Sequence, residues 1–255
     1  MTGADRRSAA ALIRQLRLTR AAAVVVIALV ASAPGLACAA GSTAARPHAG
    51  PAASAMPAPA TRAAGPSRVV TQADLASLGW ADFYGVELPV SRSAGPRRVR
   101  GGLAWGFAHT PLGALLAAIN IGVRANAQWG PRIFGPTIRD QVTGPGAPVL
   151  LAACQASYDQ ASRSQGVPAG RPLGPADVAE AAFRWVTYTR ADATVDIVSV
   201  GPGNQGVTAR AVTRVEVQWS RGDWRVIAPP GGDWGHSAAP LTSLAGYTSF
   251  PAPPG

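Results

Sequence analysis

The sequence predicts an α+β fold, with N-terminal helices packed on an antiparallel four-strand meander. Three observations carry this. Leu112, Leu115, Leu116, Ile119 and Val123 recur at helical spacing. Leu150, Leu151, Cys154 and Tyr158 form a second stripe of the same period. Downstream the period becomes two: Val207, Ala209, Ala211, Val215, Val217 and Trp219 alternate with Thr208, Arg210, Arg214, Glu216 and Gln218. Helices first and strands afterwards place the chain in the α+β class.

The elements follow in chain order. Arg14, Arg17 and Arg20 precede an apolar run from Ala21 to Ala33, the charge pattern of an export leader. Ala37 and Ala39 have the spacing of a signal-peptidase site, and Cys38 has a poor lipobox because Leu36 lies two residues before it. A cleaved signal peptide, an uncleaved membrane anchor over residues 1–40 and a lipoprotein therefore all stay open. Each delivers the rest of the chain outside the cytoplasm. Residues 41–68 are Ala, Pro, Gly, Ser and Thr with scattered Arg and no apolar period, which reads as a disordered spacer.

The folded domain is expected over 69–250. Thr71 to Leu75 starts a short helix, and the apolar segment from Trp80 to Val90 has no clean period. Arg92 to Gly102 reads as a loop. Thr110 and Pro111 supply an N-cap and an N1 proline for a helix over 111–128. Asn120, Arg124 and Gln128 lie on a separate face of it. A short helix is expected over 136–142 and a longer one over 148–165, stopped by Gly166. Strands are expected near 182–190, 193–200, 207–219 and 224–228, with a turn at Ser220–Asp223. Trp219, by its phase, is expected in the core, where truncation to Ala costs roughly 3–5 kcal/mol.

Composition removes several chemistries. All 23 basic residues are Arg, so a Walker phosphate loop, a Schiff-base enzyme and a Lys base are excluded. Two Cys exclude a disulfide scaffold and a Cys-rich zinc site. The net charge is +10, but residues 1–68 hold eight Arg and one Asp, so most of the excess sits ahead of the domain. No Arg stripe interleaved with aromatics remains, and direct nucleic-acid binding is not expected. Arg97, Arg98 and Arg100 read as a solvated basic loop.

The order of helices, four-strand sheet and the hairpin Trp219, Gly222, Asp223, Trp224, Arg225, Val226 resembles the cystatin-like cone. That cone occurs in nuclear-transport-factor-like domains and in periplasmic assembly factors of type IV secretion. It implies N-terminal helices packed on a curved antiparallel four-strand sheet, whose apolar face lies on the two long helices. Four segments, Tyr84–Val90, Gly106–Leu116, Gln128–Pro131 and Ala228–Trp234, resemble an actinobacterial family of unknown function carried on conjugative elements. The resemblance spans about residues 80–250. It implies a membrane-associated accessory of DNA transfer and carries over no catalytic residue.

Candidate chemistry is sparse. His48, His109 and His236 have no metal-ligand spacing, and Cys154 lies on an apolar stripe. Asp82, Tyr84, His109 and Tyr188 are the set that a cone cavity could bring together for acid–base work. Arg221-Gly222-Asp223 is turn chemistry. Gly-Asp-Trp recurs at 222–224 and 232–234 as turn vocabulary. The expectation is a non-enzymatic, extracytoplasmic module without cofactor or metal. It would be held at the membrane by its leader and would contact secretion or conjugation channel proteins or copies of itself. The contact surface is expected at Arg210 and Arg214 on the outer face of the meander, or in the irregular tail near Gly231–Tyr247, with Asp233 and Trp234 as its candidate residues. A small-molecule or lipid-binding cone, and a cone-fold isomerase or hydrolase, are the alternatives.

Overall fold

The computed structural model describes residues 70–203 and 207–253; the leader and spacer, with His48, lie outside the described residues. Four α-helices and eleven strands occur among those described. In chain order they are α1 (Gln72–Ala76), β1 (Gly79–Phe83), β2 (Val86–Val90), β3 (Arg98–Arg100) and β4 (Leu103–Trp105). Then follow α2 (Pro111–Arg124), α3 (Pro131–Gln141), β5 (Val142–Thr143) and α4 (Ala147–Gln165). The main sheet is built on β6 (Val178–Tyr188), β7 (Asp192–Pro202), β8 (Thr208–Ser220) and β9 (Asp223–Ile227), and the tail adds β10 (Ala238–Pro240) and β11 (Thr248–Ser249).

β6 to β9 form the antiparallel meander, with Asp196 opposite both Arg184 and Arg214. The sheet is larger than the expected four strands and is mixed. Its order is β1-β2-β6-β7-β8-β9-β5, with β10 on β8 and β11 on β6. Two seams are parallel: Val86–Val178 and Glu87–Ala179 join β2 to β6, and Val142–Val226 and Thr143–Ile227 join β5 to β9. Each seam spans two residue pairs between segments far apart in sequence, so no local alternation announces it. Two register shifts in β6, at Glu180/Ala182 and Trp185/Thr187, bend the strand and help curl the sheet into a half-barrel.

The segment 79–105, expected as an aperiodic stretch and a loop, is two hairpins. Both turns, Tyr84-Gly85 and Gly101-Gly102, and the later Arg221-Gly222, have two consecutive positive φ values. That sign pattern belongs to the type I′ turn, whose twist matches the strands it joins. Arg97, Arg98 and Arg100 are exposed as expected, but Arg98 and Arg100 are on β3.

The core lies between the sheet and α2. Thr110 caps α2 by accepting from the Gly113 amide at 3.1 Å, with Pro111 in the first turn. Every residue from Leu112 to Arg124 is buried, so Asn120 and Arg124 do not form the separate polar face read from the sequence. Polar groups on an α-helix buried all round need partners within the protein, and all of these two side chains' buried donors except Arg124 Nε find one. Asn120 donates through Nδ2 to the carbonyls of Pro89 and Leu116, and Arg124 donates through Nη1 to the carbonyl and side-chain oxygen of Asn120. Gly113 is fixed by proximity: a Cβ there would sit 2.0 Å from the Ala108 oxygen.

α2 stops at Arg124 rather than at 128. Its last carbonyls are taken by side chains, Val123 by the Trp129 indole at 2.6 Å and Ala125 by the Trp234 indole at 3.1 Å. α3 starts earlier than expected, at Pro131, where proline's missing N–H is harmless, and it carries Pro136 inside. α4 agrees with its expected span to within a residue and ends on Gly166 in the left-handed region. Trp224 is 1% exposed and donates to the Ala108 carbonyl. Trp219, expected in the core, is only partly buried against it.

Candidate functional site

Along β6, β7 and β8 the residues alternate between α2 and the opposite face. Phe183, Val195, Ile197, Val215 and Val217 enter the core. Arg184, Asp196 and Arg214 therefore share the outer face, side by side in register. A cleft of about 630 Å³ opens there, lined by this trio together with Glu216, Trp234 and Tyr247. It forms where the chain leaves the sheet after β9, passes through two short 3-10 turns, and returns as β10.

The trio is tightly arranged. Arg184 Nη2 lies 2.8 Å from Asp196 Oδ2. Arg214 donates through Nε to Oδ1 at 2.8 Å and through Nη2 to Oδ2 at 3.2 Å. The Asp196 side chain is 4% exposed, while those of Arg184 and Arg214 are 47% and 51% exposed. Burial pushes the Asp196 carboxyl upward, but the hydrogen bonds and charges of Arg214 and Arg184 outweigh it, so its pKa lies below the usual carboxylate range. The same hydrogen bonds raise both guanidinium values. Arg184 also lies over the Tyr247 ring, 4.6 Å from its centroid.

Of the residues singled out in the sequence, Arg214 and Trp234 reach this cleft. Arg210 is exposed on β8 and makes no ion pair among the described residues. Asp233 caps a 3-10 turn by accepting from the Gly235 amide at 2.8 Å, and the Trp234 indole is held in the core by Ala125. Tyr247, at the end of the tail stretch expected to make contacts, reaches the cleft too; Arg184 and Asp196 were not singled out. Their signal was the outward phase of Arg184, Asp196 and Arg214 on three successive strands, which becomes a site only once the register is known.

The acid–base set does not converge. His109 stacks on Trp219, with ring centroids 4.0 Å apart, and bonds to the Arg190 carbonyl; it and Tyr188 both flank Trp224. Asp82 and Tyr84 belong to the β1–β2 turn, where Asp82 accepts from the Gly85 amide and Tyr84 stacks on Trp129. His236 pairs with the Pro230 carbonyl. The Asp223 carboxylate of the Arg-Gly-Asp turn accepts from the amides of Gly106, Phe107 and Trp224, tying the β3–β4 hairpin to β9. Burial pushes the Cys154 thiol up to about 12. No group of three or more potential metal ligands occurs among the described residues.

Two further ionisable groups are buried on the α2 side. Glu180, 2% exposed, accepts from the Ser199 hydroxyl at 2.9 Å and leaves Oε1 without a partner; burial raises its pKa to about 7. Arg124 is lowered to about 10 by burial and lies 4.4 Å above the Phe83 ring. No helix among the described residues is long and apolar enough to cross a membrane.

A family model described as a domain of unknown function, DUF8175, matches residues 39–249. No curated protein and no solved structure matches the chain.

Proposed function

We propose that this chain, which belongs to the DUF8175 family of unknown function, is an extracytoplasmic accessory module of a conjugative or type IV-like secretion apparatus. It acts by holding a partner at the membrane surface, without catalysis. The observation that carries the contact mode is the outer-face cleft, where a buried carboxylate presets two half-exposed guanidinium groups beside an aromatic ring. Preset polar groups beside apolar surface are the ingredients of a recognition site. The basic, apolar leader and the Ala/Pro-rich spacer support delivery outside the cytoplasm on a tether. Four sequence segments support the link to conjugative elements. A half-barrel wrapped around α2 supports kinship with the cystatin-like cone.

A ligand-binding reading is favoured by one feature, the cleft volume of about 630 Å³, which suits a small molecule. It would place the ligand on the outer face, because α2 fills the concave one. Mating frequency in a clean gene deletion, complemented with the full chain, tests the primary reading. Reduced transfer restored by complementation supports it; full transfer in the deletion overturns it.

A further inference from the structure

We propose that the outer-face cleft docks an extended segment of a partner protein through an acidic side chain on that segment. This rests on the contact reading above and adds the chemistry of the partner. The first observation is a charge arrangement. One carboxylate, Asp196, serves two arginines, and its Oδ2 accepts from both. Arg184 donates to it through Nη2 alone, and Arg214 through Nε and Nη2. A guanidinium has five N–H donors in a fixed fork. Most of those donors thus stay available on side chains about half exposed. The buried carboxylate holds both forks in place, which reduces the ordering cost of gripping a second carboxylate.

The second observation concerns the main chain. β9 pairs with β8 from Glu216 onward, and β10 pairs with it up to Thr213. Between them, on that edge, Arg214 and Val215 have no strand partner. The gap is two residues wide and is closed at both ends by β9 and β10, so beside the arginine fork it offers an incoming segment a backbone hydrogen bond rather than a free strand edge. Tyr247, Pro230 and Ile227 offer apolar surface to residues flanking the acidic one. Glu216, exposed on the same strand face as Arg214, repels a second acidic group there. The segment expected is therefore a single Asp or Glu among apolar residues rather than a polyacidic run.

The test is selection of a displayed library of random 12-residue peptides on the full-length protein, followed by affinity measurement of the selected peptides. The expected result is enrichment of one acidic position flanked by apolar residues. Its replacement by the amide should weaken binding at least tenfold, as should Arg214→Gln or Arg184→Gln in a protein whose thermal unfolding confirms folding. Arg184→Lys should restore part of the loss. Selection with no acidic preference, no selected binder, or binders indifferent to both arginine variants overturns the proposal. Displacement of the peptides by acetate or succinate at comparable affinity also overturns it, in favour of a small-carboxylate site. Normal peptide capture with unimpaired mating in the deletion would remove the conjugation reading and leave this one standing.

Discussion

Replacing Glu180 by Gln tests the packing of the sheet's inner face. The wild-type carboxyl is enclosed, with Ser199 as its hydrogen-bonding partner and Oε1 unpaired. Burial raises its pKa from 4.5 to about 7. A folded-state value above the unfolded one means that the folded protein holds its proton more tightly. The stability this contributes is complete below pH 4.5 and is lost as pH rises through 7. Each pH unit of difference is worth about 1.4 kcal/mol, so the loss across this window is on the order of 3 kcal/mol. Gln retains an oxygen for the Ser199 hydroxyl and cannot ionise. Urea unfolding from pH 5 to pH 8.5 should show wild-type stability falling and the variant staying nearly flat. The variant should be the more stable above pH 7. Asp196 and Asp74, whose values are lowered, act at the acidic end, and Cys154, raised, acts at the alkaline end. The difference between wild type and variant isolates Glu180. Parallel curves for the two proteins from pH 5 to pH 8.5 would refute the reasoning.

Asp196→Asn should cost about 2 kcal/mol in urea unfolding at neutral pH, because it removes the charge that both arginines share and leaves polar groups in a buried site imperfectly paired. Trp224→Ala should cost roughly 3–5 kcal/mol, since the ring is 1% exposed and its indole N–H is bonded to Ala108. Trp219→Ala, with the ring only partly buried and stacked on His109, should cost about half as much on the same denaturation curve. Alkaline phosphatase fused after residue 70 should be active in the host. A stable but inactive fusion would place the domain in the cytoplasm.

The meander and the two long helices were legible because their signals are local. Alternation over Thr208–Ser220 and the stripe from Leu112 to Val123 need only neighbouring residues. The β1–β2 and β3–β4 hairpins were not, because their strands are three to five residues long and their turns carry Tyr84-Gly85 and Gly101-Gly102 rather than Asn-Gly. The parallel seams were hidden because Val142 meets Val226 across more than eighty residues. Arg124 looked like a surface residue, since nothing in the sequence shows that α2 is enclosed on all sides. Arg214 and Trp234, read from the sequence as contact candidates, both line the cleft. Arg184 and Asp196 carried the right phase, but only the strand register places them beside Arg214. Tyr247 joins them through the path of the tail, which has no periodicity to read.

The most direct measurement is photo-crosslinking in mating donor cells, from a photoreactive residue at position 247 of the full-length protein. The account predicts a discrete adduct with a channel component, which disappears when Arg184 and Arg214 are both replaced by Gln while protein level and folding are unchanged. Absence of an adduct, or the same adduct in the double variant, would contradict it.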